Sequence, residues 1–241
     1  MTGLDRPAIV RLRHEVPHAS LPTAASPQQC LSMRLVVVSD THGLHDRMPT
    51  IPDGDVLVHA GDLTTVSTVA NTVRALEWLE SQPHRHKVLV AGNHDFIFER
   101  RADVAESLVP PGVTYLRDRA AIIDGVRFWG SPWQAWYHDW AFNLLRGEEL
   151  ARVWALIPDT TQVLITHGPP HGILDGVVDG THAGCADLRR RIADLPSLRA
   201  HLFGHIHEAY GSAIIDGCRF VNASICTVGY APSNPPIVVD V

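Results

Sequence analysis

Residues 200–211 read AHLFGHIHEAYG: a short apolar run that breaks at Gly204 and delivers two histidines, His205 and His207, one residue apart. The run has strand length, and glycine marks the turn that ends it. Hydrophobic packing has little use for imidazoles there, so the reading turns on what ends the other buried runs. RLVVVS (34–39) ends in Asp40-Thr-His42-Gly, and DVLVHA (55–60) ends in Gly61-Asp62. KVLVA (87–91) ends in Gly92-Asn93-His94-Asp95, and QVLIT (162–166) ends in His167-Gly168. Five predicted strands thus finish in Asp, Asn or His beside glycine. In α/β sheets the carboxyl ends of strands gather at one edge, where ligands bind.

The strands alternate with helical patterns. Val66, Val69, Ala70, Val73, Leu76 and Leu79 recur at helical spacing, and helices are also predicted over 96–107, 147–157 and 185–194. Two hairpins are read from Asp124-Gly125 in AIIDGVRFWG and Asp216-Gly217 in AIIDGCRFVN. The pattern predicts an α/β fold with mixed sheets over residues 33–241. Residues 1–32, with Pro7, Pro17, Pro22 and Pro27 and no periodicity, are read as an irregular N-terminal arm.

Composition narrows the function. Hydrophobic residues make up 45% of the 241, enough for a substantial core. A net charge of −6 argues against a non-specific nucleic-acid binder, though not against a small anion held in one pocket. No apolar stretch approaches the roughly 20 residues of a membrane helix, and no signal peptide is read at the N-terminus. The four cysteines form no C-x-x-C pair, which points to reduced thiols and a cytoplasmic protein.

Imidazole, carboxylate and amide oxygen without thiolate form a ligand set for Mn, Fe, Zn or Ni. Seven such candidates exceed the needs of one ion, so two divalent metal ions sharing an aspartate bridge are expected. Two divalent cations against Asp40, Asp62 and one hydroxide would leave the site at about +1, suited to a phosphate ester.

The series D-x-H, GD, GNHD, H-G and GHIH, in this order, resembles the calcineurin-like metallophosphoesterase superfamily. GSPWQAWYHDWAFN, THGPPHG, FGHIHEAYG, NASICT and NPPIVVDV are similar to its metallophosphoesterase-domain-containing branch from vertebrate brain and bacterial relatives. This likeness runs from about Arg34 to the C-terminus. It implies a four-layer αββα sandwich with two mixed β-sheets and a dinuclear site at the strand ends. It also implies that Asp40, His42 and His207 hold one metal, that Asn93, His167 and His205 hold the other, and that Asp62 bridges them. His94 is implied as the general acid or oxyanion donor, with Asp95 orienting it. Vertebrate members carry glycine at the position of His205, so a more complete centre is expected here. The protein-phosphatase pattern GD-x-x-D-R-G is replaced by GDLTTVS.

The implied activity is phosphodiester hydrolysis, with cyclic nucleotides as the favoured substrates and a hydroxide between the metals as nucleophile. A nuclease, a phosphomonoesterase and a non-catalytic scaffold for protein partners remain the alternatives, and a homodimer is left open. His171, His182 and Trp133 are read as candidate substrate contacts, with Trp136 as an alternative stacking residue. His59 is read as a supporting group, and His45, His84, His86, His138 and His201 as surface or structural.

Overall fold

The computed structural model describes residues 32–241, so the arm expected over 1–32 lies outside the described residues except for Ser32. The chain runs β1 (Arg34–Val38), β2 (Val56–His59), α1 (Val69–Ser81), β3 (His86–Leu89), α2 (Phe96–Arg100), α3 (Ala102–Leu108) and β4 (Val113–Tyr115). There follow β5 (Arg119–Ile123), β6 (Val126–Ser131), β7 (Gln134–Ala135), β8 (Asn143–Leu144), α4 (Glu148–Trp154) and β9 (Val163–Thr166). The last elements are α5 (Ala186–Ala193), β10 (Ala200–Phe203), β11 (Gly211–Ile215), β12 (Cys218–Asn222) and β13 (Ile237–Asp240).

Two large sheets result. The first has order β13-β1-β2-β3-β4, parallel from β1 to β4 and closed by antiparallel β13. The second has order β11-β12-β10-β9-β6-β5, parallel in its four central strands. The two Asp-Gly hairpins form its opposite edges. Asp124, Gly125, Asp216 and Gly217 all take positive φ, as a two-residue hairpin turn of the primed type requires.

Three apolar clusters mark the contacts of a four-layer sandwich. Leu35, Val37, Val58 and Val88 of the first sheet meet Phe128, Val163, Ile165 and Leu202 of the second between the sheets. On its other face the first sheet packs Val36, Val38, Leu57 and Leu89 against Leu76 and Leu79 of α1 and Ala105 of α3. The second packs Leu164, Phe203 and Phe220 against Leu150 and Trp154 of α4 and Leu188 and Ile192 of α5. Neighbours such as Val36 and Val37 thus point to opposite layers, which explains why these strands read as continuous rather than alternating apolar runs.

Helix boundaries differ from the periodicity. The predicted helix from Val66 begins at Val69, because the Thr68 side chain accepts the Asn71 N–H (3.2 Å) and caps it. The predicted helix over 96–107 is two helices, broken at Arg101 with φ −140° and ψ 57°. Among the described residues no helix is long and apolar enough to cross a membrane.

Leu202 is wholly buried between the sheets, whereas Leu156 is 56% exposed. Leu202→Ala is expected to cost about 2–5 kcal/mol in urea denaturation, and Leu156→Ala less than about 0.5 kcal/mol.

Candidate metal centre

Asp40 follows β1, Asp62 follows β2, Asn93 and His94 follow β3, His167 follows β9, and His205 and His207 follow β10. Asp40, His42, Asp62 and His205 adopt φ of 53°, 47°, 57° and 70°, left-handed conformations uncommon for residues other than glycine. Such backbone strain clusters at functional sites, where surrounding structure enforces it. The adjacent glycines provide clearance. A Cβ on Gly204 would overlap Asp40 Oδ2 and Ser39 Oγ, and one on Gly92 would overlap Asp62 Oδ1 and its backbone nitrogen.

The hydrogen bonds determine where electron pairs point. His167 Nδ1 lies 3.0 Å from the Ala60 carbonyl and must donate to it, which leaves Nε2 as a lone pair in the neutral ring. That Nε2 faces Asn93 Oδ1 at 2.7 Å and Asp62 Oδ2 at 3.5 Å, both acceptors. His207 Nδ1 likewise donates to the Thr227 carbonyl (3.1 Å), and its Nε2 faces Asp40 Oδ1 at 3.4 Å and His42 Nε2 at 3.3 Å. Asp62 Oδ2 also lies 3.8 Å from His42 Nε2, so one carboxylate oxygen faces both imidazole groups. Asp40 Oδ1 is buried without a hydrogen-bond partner. Convergence of lone pairs on a shared point is unfavourable unless a proton or a cation sits there. The donor set therefore fits divalent metal ions.

Three such groups each bring one ligand atom per residue within 4.8 Å of the others: Asp40/His42/His207, His42/Asp62/His94 and Asp40/Asp62/His167. His205 joins them through its ring, 5.0 Å from that of His167, and through its N–H, which donates to Asp40 Oδ2 (2.9 Å).

The proton balance agrees. Burial works to lower the pKa of His167, but the charge and hydrogen bond of Asp62 outweigh it and hold it at about 9. His207 is raised to about 9 against its own burial by the close carboxylate of Asp40, 3.4 Å away, and its negative charge. Asp40 and Asp62 are lowered despite burial, chiefly by His207 and His167 respectively. Without metal, protons occupy the places between these groups.

Of the groups that steady the ligands, the sequence points to His59 but not to Ser224 or Asn222. Ser224 Oγ donates to Asp40 Oδ2 (2.9 Å) and is placed by Asn222, whose amide donates to the Ile206 and Leu174 carbonyls. NASICT holds both residues, but nothing in the sequence pairs Ser224 with Asp40. His59 accepts the Gly61 N–H (3.3 Å) at Nδ1 and meets Thr41 Oγ1 at 3.0 Å through Nε2, tying together the turns after β1 and β2.

His94 projects beside the ligands. Its N–H donates to Asp62 Oδ1 (2.8 Å), and its Nδ1 donates to the Thr65 carbonyl (3.2 Å), leaving Nε2 available. Its ring stands edge-on to His42 (4.8 Å between centroids) and beside Trp140 (4.7 Å). Asp95 does not orient that ring. Its buried carboxylate accepts the Gly92, Leu63 and Thr64 N–H groups and the Thr64 hydroxyl, bracing the turn that carries Asp62 against the turn that carries Asn93. Burial and then the charge of Asp62 raise its pKa to about 6 against these hydrogen bonds.

A cleft of about 520 Å³ opens over Asp62, Asn93, His94, His205 and His207. Trp136, Tyr137 and Trp140 line one part of it, with Tyr230, Val228 and Arg146 elsewhere in the wall. Three expected substrate contacts lie apart from this lining. Trp133 donates its indole N–H to Asp118 (2.7 Å) and stands edge-on to Phe142, a packing role. His171 and His182 turn their Nδ1 atoms to the buried Asp175, at 3.8 and 2.7 Å. Among the remaining histidines, His45, His84 and His201 are buried and structural.

The layered fold and the ligand-bearing strand ends define a metallophosphoesterase. The family model for calcineurin-like phosphoesterases matches residues 33–209, and the chain belongs to that family. It is 39% identical to metallophosphoesterase domain-containing protein 1 of Homo sapiens, across 99% of this chain and 78% of that protein. It is 37% identical to a UPF0046 protein of Caenorhabditis elegans, across 91% of this chain and 77% of that one. Members of the family use divalent metal ions, and the residues present fit that use.

Two outcomes follow for the metal-free protein. The raised histidines His167 and His207 stabilise the fold fully below pH about 6.5, and this is lost as pH rises through about 9. The lowered histidines His59, His201 and His205 titrate below pH 6.5 and leave this window to the raised pair. The Tm of chelator-treated protein is expected to fall between pH about 6.5 and 9.5, and manganese should suppress the fall. Gly204→Ala is expected to lower manganese affinity at least tenfold in calorimetric titration, because its Cβ displaces Asp40.

Proposed function

We propose that the protein is a phosphodiesterase acting on small organic phosphodiesters, cyclic nucleotides among them. The observation that carries this reading is the pair of aromatic walls flanking the metal centre. Trp140 stands beside His94 (4.7 Å) on one side, and Tyr230 stands beside His42 (4.9 Å) and His207 (5.4 Å) on another. A diester carries an organic group on each of two ester oxygens, and each group then meets an aromatic surface. A phosphomonoester would leave one wall unused.

When bound, two divalent ions supply an acidified water and a clamp on the phosphoryl oxygens. Asp40, His42 and His207 would hold one, Asn93, His167 and His205 the other, with Asp62 shared. The Ala60 and Thr227 carbonyls keep the His167 and His207 rings in the tautomer that presents Nε2. The Thr65 carbonyl likewise holds the Nδ1 proton of His94, whose Nε2, when the ring carries a second proton, can give that proton to the departing ester oxygen. The acidic net charge makes long nucleic acids poorer partners than small diesters. The three described cysteines are buried free thiols, which suits a cytoplasmic setting.

Manganese-loaded protein is expected to hydrolyse bis-p-nitrophenyl phosphate faster than p-nitrophenyl phosphate, and to lose both activities on chelation. Preference for the monoester would replace this reading with a phosphomonoesterase, and no turnover with any divalent metal would leave the scaffold. His94→Ala is expected to lower kcat for the diester by about 10²–10⁴ while retaining bound manganese by elemental analysis. Wild-type kcat in that variant would remove His94 from proton transfer.

A further inference from the structure

Arg146 lines the cleft with only half of its guanidinium engaged. Its Nη1 donates to the Gly184 carbonyl and its Nη2 to the adjacent Ala183 carbonyl, each at 2.7 Å. The backbone on both sides is held as well: Leu145 N–H donates to Glu149 (2.8 Å), and Gly147 N–H donates to the buried Asp187 (2.9 Å). Arginine has five N–H donors. Two are spent on the carbonyls at the end of the plane. The neighbouring edge, Nε–H beside the second Nη2–H, forms no hydrogen bond among the described residues, and no described carboxylate pairs with it. A two-donor edge on an arginine that lines a binding cleft, its other end fastened to two carbonyls, can receive two parallel acceptors.

The rest of the lining discriminates among candidates for those acceptors. Asp179 and Glu208 line the same cleft and disfavour a second phosphate or a carboxylate. Trp136 and Tyr137, about half exposed, offer faces on which a flat ring can stack. A guanine base satisfies all three features. It stacks, it shows O6 and N7 to an arginine edge, and its N1–H and N2–H groups can meet a carboxylate. Adenine places an amino donor beside N7, so the arginine edge finds one acceptor and one repelling donor.

We propose that Arg146 is a specificity-determining residue whose free two-donor edge reads O6 and N7 of a guanine base on the substrate, giving preference for guanosine over adenosine phosphodiesters. This rests on reading the site as a phosphodiesterase of small nucleotides.

The test compares kcat/KM for guanosine and adenosine 2′,3′-cyclic monophosphates in manganese-loaded wild type, Arg146→Lys and Arg146→Met, with base-free bis-p-nitrophenyl phosphate as the reference. The wild type is expected to favour guanosine by on the order of tenfold or more. Both variants should bring the ratio near one, since lysine offers a point charge and no fork. The loss should fall on guanosine relative to the base-free diester. A wild-type ratio near one, a ratio that survives in the methionine variant, or an equal loss on all three substrates would overturn the proposal. If no phosphodiester is turned over, the functional reading fails separately. Binding of GMP and AMP to the metal-loaded protein by calorimetry then decides the role of Arg146: GMP preference present in wild type and absent in Arg146→Met sustains it, and equal affinities in wild type end it.

Discussion

Two backbone carbonyls, those of Ala60 and Thr227, set the chemistry of the centre. Each takes the Nδ1 proton of a histidine and thereby commits the opposite nitrogen to act as a lone pair. Asp62 and Asn93 aim oxygens at one of those nitrogens, and Asp40 aims an oxygen at the other, with the His42 ring nitrogen beside it. So many acceptors face one another that the arrangement is stable only around positive charge. The left-handed backbones at Asp40, His42, Asp62 and His205 and the missing Cβ atoms at Gly92 and Gly204 serve that convergence.

The sandwich explains how residues so far apart in the chain can meet. Parallel strands of both sheets bring their carboxyl ends toward the site. The inter-sheet cluster of Leu35, Val58, Ile165 and Leu202 fixes the separation of the sheets, and with it that of the ligands each contributes. Asp95 and His59 then lock neighbouring turns of the first sheet together from beneath. These are supporting contacts that hold the turn carrying Asp62.

Much of this was legible because strand ends are conspicuous in sequence. Apolar runs such as RLVVVS and QVLIT stop abruptly at glycine and a polar ligand type, and the order of five such stops carries the family likeness. What stayed hidden depends on contacts between distant segments. Ser224 meets Asp40 across 184 positions, and Arg146 meets Gly184 across 38. The resemblance implies that Asp95 orients its neighbour His94, but adjacent side chains in a turn need not share a direction; the carboxylate accepts from four donors in its own and the preceding turn. Trp133 stands out in the sequence by residue type, and His171 and His182 by their place in loops near His167. Each had a closer polar partner, Asp118 or Asp175, that no local pattern reveals.

The pairing of β13 with β1 links the last described strand to the first. Asp40 follows the first described strand, His205 and His207 follow β10, and the edge of the first sheet is sealed only by Ile237–Asp240, so the ligand set spans most of the described chain. Neither sheet alone carries the full ligand set. Cation capture is thereby coupled to the folding of both sheets together.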